Sequence, residues 1–254
     1  MSIITLLTDF HQVLNTFNTA YCIDNDGKIL FEDLYPLEEA IRSLSNENDS
    51  WEYEIAPFVI KLPAVQNHTF THQTSISIVF QAHNVLNSTN DVISNPINLK
   101  KFDIHLKGTN TIANTDSMAS WHLDDQSELS DANDGQSKYL HPVYHFTFGG
   151  KLMEGSYLDN WDFGQTLVMR SPRLMHPPMD IILGIDFILT QFIARKYITD
   201  LLDKPEYKKI IQAVKQKIWK PYALAFAKNF CNDWATETST LTFDDEFCKS
   251  IIEH

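Results

Sequence analysis

His141-Pro-Val-Tyr-His-Phe-Thr-Phe148, closed by Gly149-Gly150, sets Tyr144, Phe146 and Phe148 on one side and His145 and Thr147 on the other. Period-two alternation of this kind marks a strand with one apolar face. Further on, Arg170-Ser-Pro-Arg-Leu-Met-His-Pro-Pro-Met-Asp180 leads into Ile181-Ile-Leu-Gly-Ile-Asp-Phe-Ile-Leu-Thr-Gln-Phe192, the most apolar run in the chain. A run of that length and composition reads as a helix buried against a sheet. The two stretches together predict a helix laid on the apolar side of an antiparallel sheet.

Working outward, the strand pattern recurs upstream. Trp51, Tyr53 and Ile55 alternate with Glu52 and Glu54, and after Pro57 the alternation resumes with Phe58, Ile60 and Leu62. Gln73–Ala82 aligns Ile76, Ile78, Phe80 and Ala82, and Phe102, Ile104 and Leu106 alternate with Asp103, His105 and Lys107. Ala119, Trp121 and Leu123 alternate with Ser120, His122 and Asp124. One apolar and one polar face per strand is the mark of an antiparallel sheet covered on one side only. The links Asn84–Asn98 and Asp124–Gly135 are long and polar, and the second is acidic and rich in serine.

Helices flank the strands. Leu6, Phe10, Leu14 and Phe17 fall at helical spacing within Ile3–Tyr21, and Pro36 stands at the start of a second helix, Leu37–Leu44. Between them Asp24-Asn-Asp-Gly27 makes a turn. It is only loosely like a calcium loop, because Cys22 occupies the first ligand place. After Pro177-Pro178 the chain is helical to about Tyr197. Glu206 to Trp219 follows, with a kink or restart expected at Pro221, then Tyr222–Trp234 and Asp244–Ile252. The predicted class is α+β: an antiparallel sheet of about five strands, packed on one face by C-terminal helices, with two N-terminal helices. One domain over residues 1–254 is expected, helical over residues 1–50, strand-rich over residues 51–150 and helical again over residues 177–254.

Composition bounds the function. The 254 residues are 43% apolar and 21% charged, as in a globular chain able to bury a core. A net charge of −13 disfavours direct binding to nucleic acid, which needs a basic face. Lys204, Lys208, Lys209, Lys215, Lys217 and Lys220 concentrate in one segment and read as a solvated helix face. Cys22, Cys231 and Cys248 form no Cys-x-x-Cys pair. Met1–Phe10 lacks the basic start of a signal peptide, and Ile181–Ala194 is too short to cross a bilayer, so no membrane segment and a cytoplasmic location are expected.

Chemistry-bearing residues gather on the last two strands. Paired as a hairpin, these strands must point their apolar faces the same way, which places His122, Asp124, His141 and His145 together on the polar face. Imidazoles with a carboxylate suit a divalent metal or proton transfer. His122, Asp124 and His145 are thus the candidate catalytic residues, and the same three with His141 are the candidate metal ligands. The alternative is a set of solvent-facing polar side chains on a half-exposed sheet. His72-Gln-Thr74 and His145-Phe-Thr147 resemble the paired tripeptides of the two-histidine phosphoesterases. That resemblance implies histidines as acid and base, with hydroxyls holding phosphate, although His72 and Thr74 share parity with the apolar Ile76 and Ile78. Asp186, set among Ile185, Phe187 and Ile188, must be paired or face a cavity. Arg170 and Arg173 could bind an anion at the following helix start or pair with Asp180 or Glu154.

No catalytic signature is complete: Gly-x-Ser-x-Gly, Gly-x-x-x-x-Gly-Lys and His-Glu-x-x-His are all absent. The expected function is therefore a non-catalytic cytosolic interaction subunit, bound to another protein or to copies of itself. The aromatic stripe Tyr222, Phe226, Phe230, Trp234 and the apolar N-terminal helix are its candidate contact surfaces. The alternative is a metal- or histidine-dependent phosphoesterase or nuclease using the polar face.

Overall fold

In helix α1 (Ile3–Tyr21) Leu6, Leu7, Phe10, Leu14 and Phe17 recur at helical spacing and are all buried. The Ser2 hydroxyl accepts from the Thr5 amide at 3.2 Å and caps its first turn. Helix α2 (Tyr35–Arg42) carries Pro36 in its first turn, and Arg42 pairs back to Glu38 and Glu39. The computed structural model describes residues 1–21, 31–47, 50–62, 73–87, 92–110, 115–125, 143–149, 161–162, 174–230 and 241–251. The Asp24–Gly27 turn, His72, the Gln126–Gly135 link, His141, Arg170, Arg173 and Trp234 lie outside the described residues.

After α2, strand β1 (Ser45–Glu47) pairs antiparallel with β2 (Ser50–Leu62). Next come β3 (Gln73–Leu86), β4 (Val92–Ile93), β5 (Ile97–Asn110), β6 (Thr115–Asp125) and β7 (Tyr144–Phe148). The order across the sheet is β1-β2-β3-β5-β6-β7, ending on β9 (Leu174–Met175), while β8 (Trp161–Asp162) pairs in parallel with β6. β4 stands apart and pairs in parallel with β10 (Thr242–Phe243). The β2, β3, β5, β6 and β7 neighbours are all antiparallel, as the alternation predicts.

Two irregularities explain why burial changes parity along single strands. Between Ile55 and Phe58 the register shifts, so Tyr53 and Ile55 before Ala56-Pro57 and Phe58 and Ile60 after it all reach the core. Proline has no amide to give to the ladder, and a bulge absorbs the extra residue. A second shift lies opposite His83 and Asn84, so Leu99 and then Phe102 both face inward around Lys100-Lys101.

Helix α3 (Ile181–Phe192) lies on the apolar face, and its Gly184 sits directly over the rings of Phe80 and Phe102. Asp180 caps α3: its Oδ1 accepts from the Leu183 amide at 2.8 Å. Its Oδ2 accepts from the Tyr53 hydroxyl at 3.1 Å. Asn84, wholly buried on the core side of β3, turns its amide oxygen to the Ile181 amide at 3.2 Å and donates to the His83 carbonyl at 3.0 Å. Burial holds the Asp180 carboxyl at about 6, well above the usual carboxylate range.

Helices α4 (Arg195–Leu202), α5 (Pro205–Lys228) and α6 (Asp245–Ser250) complete the layer. The expected helix from Pro177 to Tyr197 is divided: it begins only at Ile181 and breaks at Ile193 and Ala194, both extended. Pro221 does not end α5, which runs through it while Ile218, Pro221, Tyr222 and Ala225 are buried against the core. The link Asn84–Asn98 is shorter than its polar composition implies, since β3 continues to Leu86 and β5 begins at Ile97. The apolar side of α1 is not a free contact surface, because it packs on α2 and α5, with the Phe10 and Tyr207 ring centres 5.9 Å apart. Among the described residues no helix is long and apolar enough to cross a membrane.

Candidate functional site

The sheet's polar face follows from the register. Asp124 pairs with His145, His122 with Thr147 on one side and with Asp103 on the other, and Ser120 with His105. Since Leu123 and Phe146 pair on the opposite face, His122, Asp124 and His145 share the polar face. Their side chains, however, form separate pairs. His145 Nε2 lies 3.4 Å from Asp124 Oδ2, and His122 Nδ1 lies 3.7 Å from Asp103 Oδ1. His105 Nδ1 meets Ser120 Oγ at 3.0 Å, with both residues buried. Burial lowers the His105 pKa, against the pull of Asp103. Among the described residues no group of three His, Cys, Asp or Glu side chains could hold a metal ion, and His141 is outside them. Asp103, His105 and Ser120 belong to the cluster although sequence reasoning does not select them as site residues. The alternation around Ile104 and Trp121 is the signal that sets them on this side.

Of the two His-x-Thr tripeptides, His72 lies outside the described residues, and the two threonines are not brought together. Thr74 lies on β3 and Thr147 on β7, with β5 and β6 between them. The ladder sets Thr147 level with Gln81, seven residues along β3 from Thr74. Three strand spacings and that offset put the two backbones more than about 20 Å apart, too far to flank one phosphate.

Asp186 is both paired and set in a cavity. It accepts from the Tyr207 hydroxyl at 2.8 Å and lies 3.9 Å from Lys215 Nζ. The cleft around it, of about 600 Å³, is bounded by α3, α4 and α5 and lined by Thr190, Arg195, Leu202, Lys208 and Ile211 among others. Burial raises the Asp186 pKa, and the Tyr207 bond and Lys215 oppose it.

A third feature sits where the β7–β9 edge of the sheet meets the end of α3. Trp121 is 5.4 Å from Phe148 and 5.1 Å from Phe192, ring centre to ring centre. Phe187 is 6.2 Å from Phe192 and 5.3 Å from Phe146, which lies 5.5 Å from His176. All but Phe148 are half-buried, and Phe148 is 38% exposed. On β9, Leu174 opposite Phe146 and Met175 opposite His145 are 63% and 52% exposed. The expected aromatic stripe on α5 behaves differently: Tyr222 is buried beside Tyr144, Phe226 is half-buried, and Phe230 stands exposed.

Comparison with protein families, with curated proteins and with solved structures gives no match for the chain.

Proposed function

We propose that the chain is a non-catalytic interaction subunit that binds another protein, or a second copy of itself, through the aromatic edge around Phe148 and Leu174. One observation carries this reading: six rings run in contact to a sheet edge, where the partly exposed Phe148 and the exposed Leu174, opposite Phe146, lie on the same face. Scattered surface apolar residues are ordinary, whereas a contiguous aromatic patch is the composition of an interface centre. Anchors of this kind are worth about 2 kcal/mol or more each on binding. The cytosol is the proposed compartment, consistent with Cys248 as a buried free thiol and with the absence of any Cys-x-x-Cys pair.

The test is a pair of measurements on Leu174→Asp combined with Phe148→Ser. Leu174 is 63% exposed and Phe148 keeps one ring contact, with Trp121, so the fold should persist, with a melting temperature lowered by no more than about 10 °C. Association, read as sedimentation of the purified chain alone and of the chain in an extract of its own cells, should be lost. An unchanged sedimentation profile in both settings defeats the proposal.

A second reading is favoured by the Asp124–His145 pair at 3.4 Å beside His122 on the same face. It is a histidine-dependent phosphoesterase or nuclease, with or without a divalent metal. Metal content of the purified protein and turnover of bis-p-nitrophenyl phosphate, each compared with His122→Ala, decide it. A protein with neither metal nor turnover removes this reading.

A further inference from the structure

Charge is distributed unevenly along the chain. Residues 195–220 hold eight of its 20 Lys and Arg but only three of its 33 Asp and Glu, a local net charge of +5 in a chain of −13. The fold leaves these cations spread over the outer half of α5 and on α4. Tyr207, Ile210, Ile211, Val214 and Ile218 turn α5 inward, so Lys208, Lys209, Lys217 and Lys220 are exposed on its other face. The exposed Arg195 and Lys196 of α4 extend the same region.

The Asp186 cleft opens on the Lys208–Lys215 flank of α5, about a third to a half of a turn round the helix from Lys209, Lys217 and Lys220, and its apolar wall separates it from a plain solvated helix face. Arg195, Lys208 and Lys215 line the cleft, and Leu202 and Ile211 give it apolar wall. Its charges meet one another: Asp203 lies 3.0 Å from Lys208 and 3.9 Å from Arg195, and Asp186 accepts from the Tyr207 hydroxyl at 2.8 Å and lies 3.9 Å from Lys215. A ligand's carboxylates would therefore fall to the exposed Lys209, Lys217 and Lys220. We infer that this face docks an acidic polypeptide segment of a partner protein, one that places an apolar side chain in the cleft and its carboxylates along the α5 lysines.

Other polyanions fit less well. Single-stranded nucleic acid needs open aromatic faces for its bases. Here Lys196 Nζ covers the Tyr197 ring at 4.8 Å, and Lys215 Nζ covers Trp219 at 4.7 Å. The Trp219 indole N–H is also committed to the Pro178 carbonyl at 2.8 Å. A helix that lies on an anionic membrane must turn its apolar side to the lipid, whereas the apolar side of α5 is buried in the protein core. Charge complementarity steers association and is weakened by salt, so the expected binding is salt-sensitive.

The experiment is fluorescence anisotropy with a labelled peptide of alternating Glu and Leu on the full-length chain. The competing probes are an alternating Glu and Ser peptide, a single-stranded oligonucleotide, and vesicles rich in phosphatidylserine. The proposal expects the Glu/Leu peptide to bind most tightly. Affinity should fall at least about tenfold in Lys209→Glu/Lys217→Glu/Lys220→Glu, whose exposed sites leave the fold intact by circular dichroism. Loss of the aromatic edge by Leu174→Asp should not change it, which separates this site from the one proposed above. Tighter binding of the oligonucleotide or the vesicles overturns the proposal, as does Glu/Ser binding equal to Glu/Leu or an unaffected triple variant. Absence of binding to all four probes overturns it as well.

Discussion

Gly184→Ala asks whether α3 truly rests on the sheet. In an exposed helix this change is favourable by about 1 kcal/mol, because alanine loses less backbone freedom than glycine on folding. Here a methyl group at position 184 would lie 2.5 Å from Phe80 Cζ and 2.9 Å from Phe102 Cε2. Carbon atoms settle at about 3.5–4.0 Å, so a ring or the helix must retreat by about 1 Å. The two rings lock each other edge-on, with centres 5.1 Å apart, so neither yields alone. Overpacking of this kind costs about 1–3 kcal/mol, which exceeds or cancels the propensity gain. The predicted outcome is a net loss of up to about 2 kcal/mol in urea titration, with the slope unchanged. Phe80→Leu should recover part of that loss in the double variant, a coupling that independent sites would not show. If Gly184→Ala instead stabilises the protein by about 1 kcal/mol, the helix does not press on these rings and the packing argument fails.

Other consequences are equally concrete. The Asp180 carboxyl is held at about 6 in the folded chain against 3.8 ordinarily, so the folded state binds the extra proton between those values. Stability contributed through this group therefore falls as pH rises from about 4 to 6, by about 3 kcal/mol in all. Asp180→Asn should abolish that fall, and parallel urea-stability profiles of wild type and variant across this window would contradict the assignment. Tyr207→Phe removes the donor to a mostly buried carboxylate and should cost about 1–3 kcal/mol by thermal melting. A silent Tyr207→Phe would show that Asp186 draws its support from Lys215 and solvent. Trp121→Ala, which takes a half-buried ring from between Phe148 and Phe192, should cost about 3 kcal/mol, and a loss under about 1 kcal/mol would contradict its place on the apolar face.

Elements governed by local periodicity were legible in the sequence. The apolar stripe of α1 and the shared parity of Leu123 with Phe146 needed no knowledge of distant residues. The polar face carrying His122, Asp124 and His145 followed from that parity. Features decided by long-range contacts were not legible. Asn84 breaks the apolar alternation of β3 and so hides the strand's last residues, yet its amide is buried to meet the Ile181 amide of α3. Asp180 looks like part of a polar approach to the helix, whereas Tyr53, distant in sequence, makes it a buried cap. Pro221 signals a break that packing of Ile218, Tyr222 and Ala225 overrides. The histidines separate into three pairs because Asp103 and Ser120 compete for His122 and His105 across strand neighbours, a choice set by register and not by spacing. The aromatic edge is hidden for a different reason. Five of its rings come from β6, β7 and α3, each of which reads as ordinary core when taken alone, and the sixth is His176 just after β9.

The central claim is that the edge formed by Phe148 and Leu174 is covered by a partner. It is tested most directly by placing a photo-reactive benzophenone side chain at position 174 and irradiating the cells that make the protein. A second probe at Ile4, exposed on α1, serves as the control. The account predicts one discrete cross-linked species from position 174, either a second copy or another protein, that vanishes when Phe148→Ser is added and never forms from position 4. Cross-linking equally diffuse from both positions, or a species indifferent to Phe148→Ser, would contradict it.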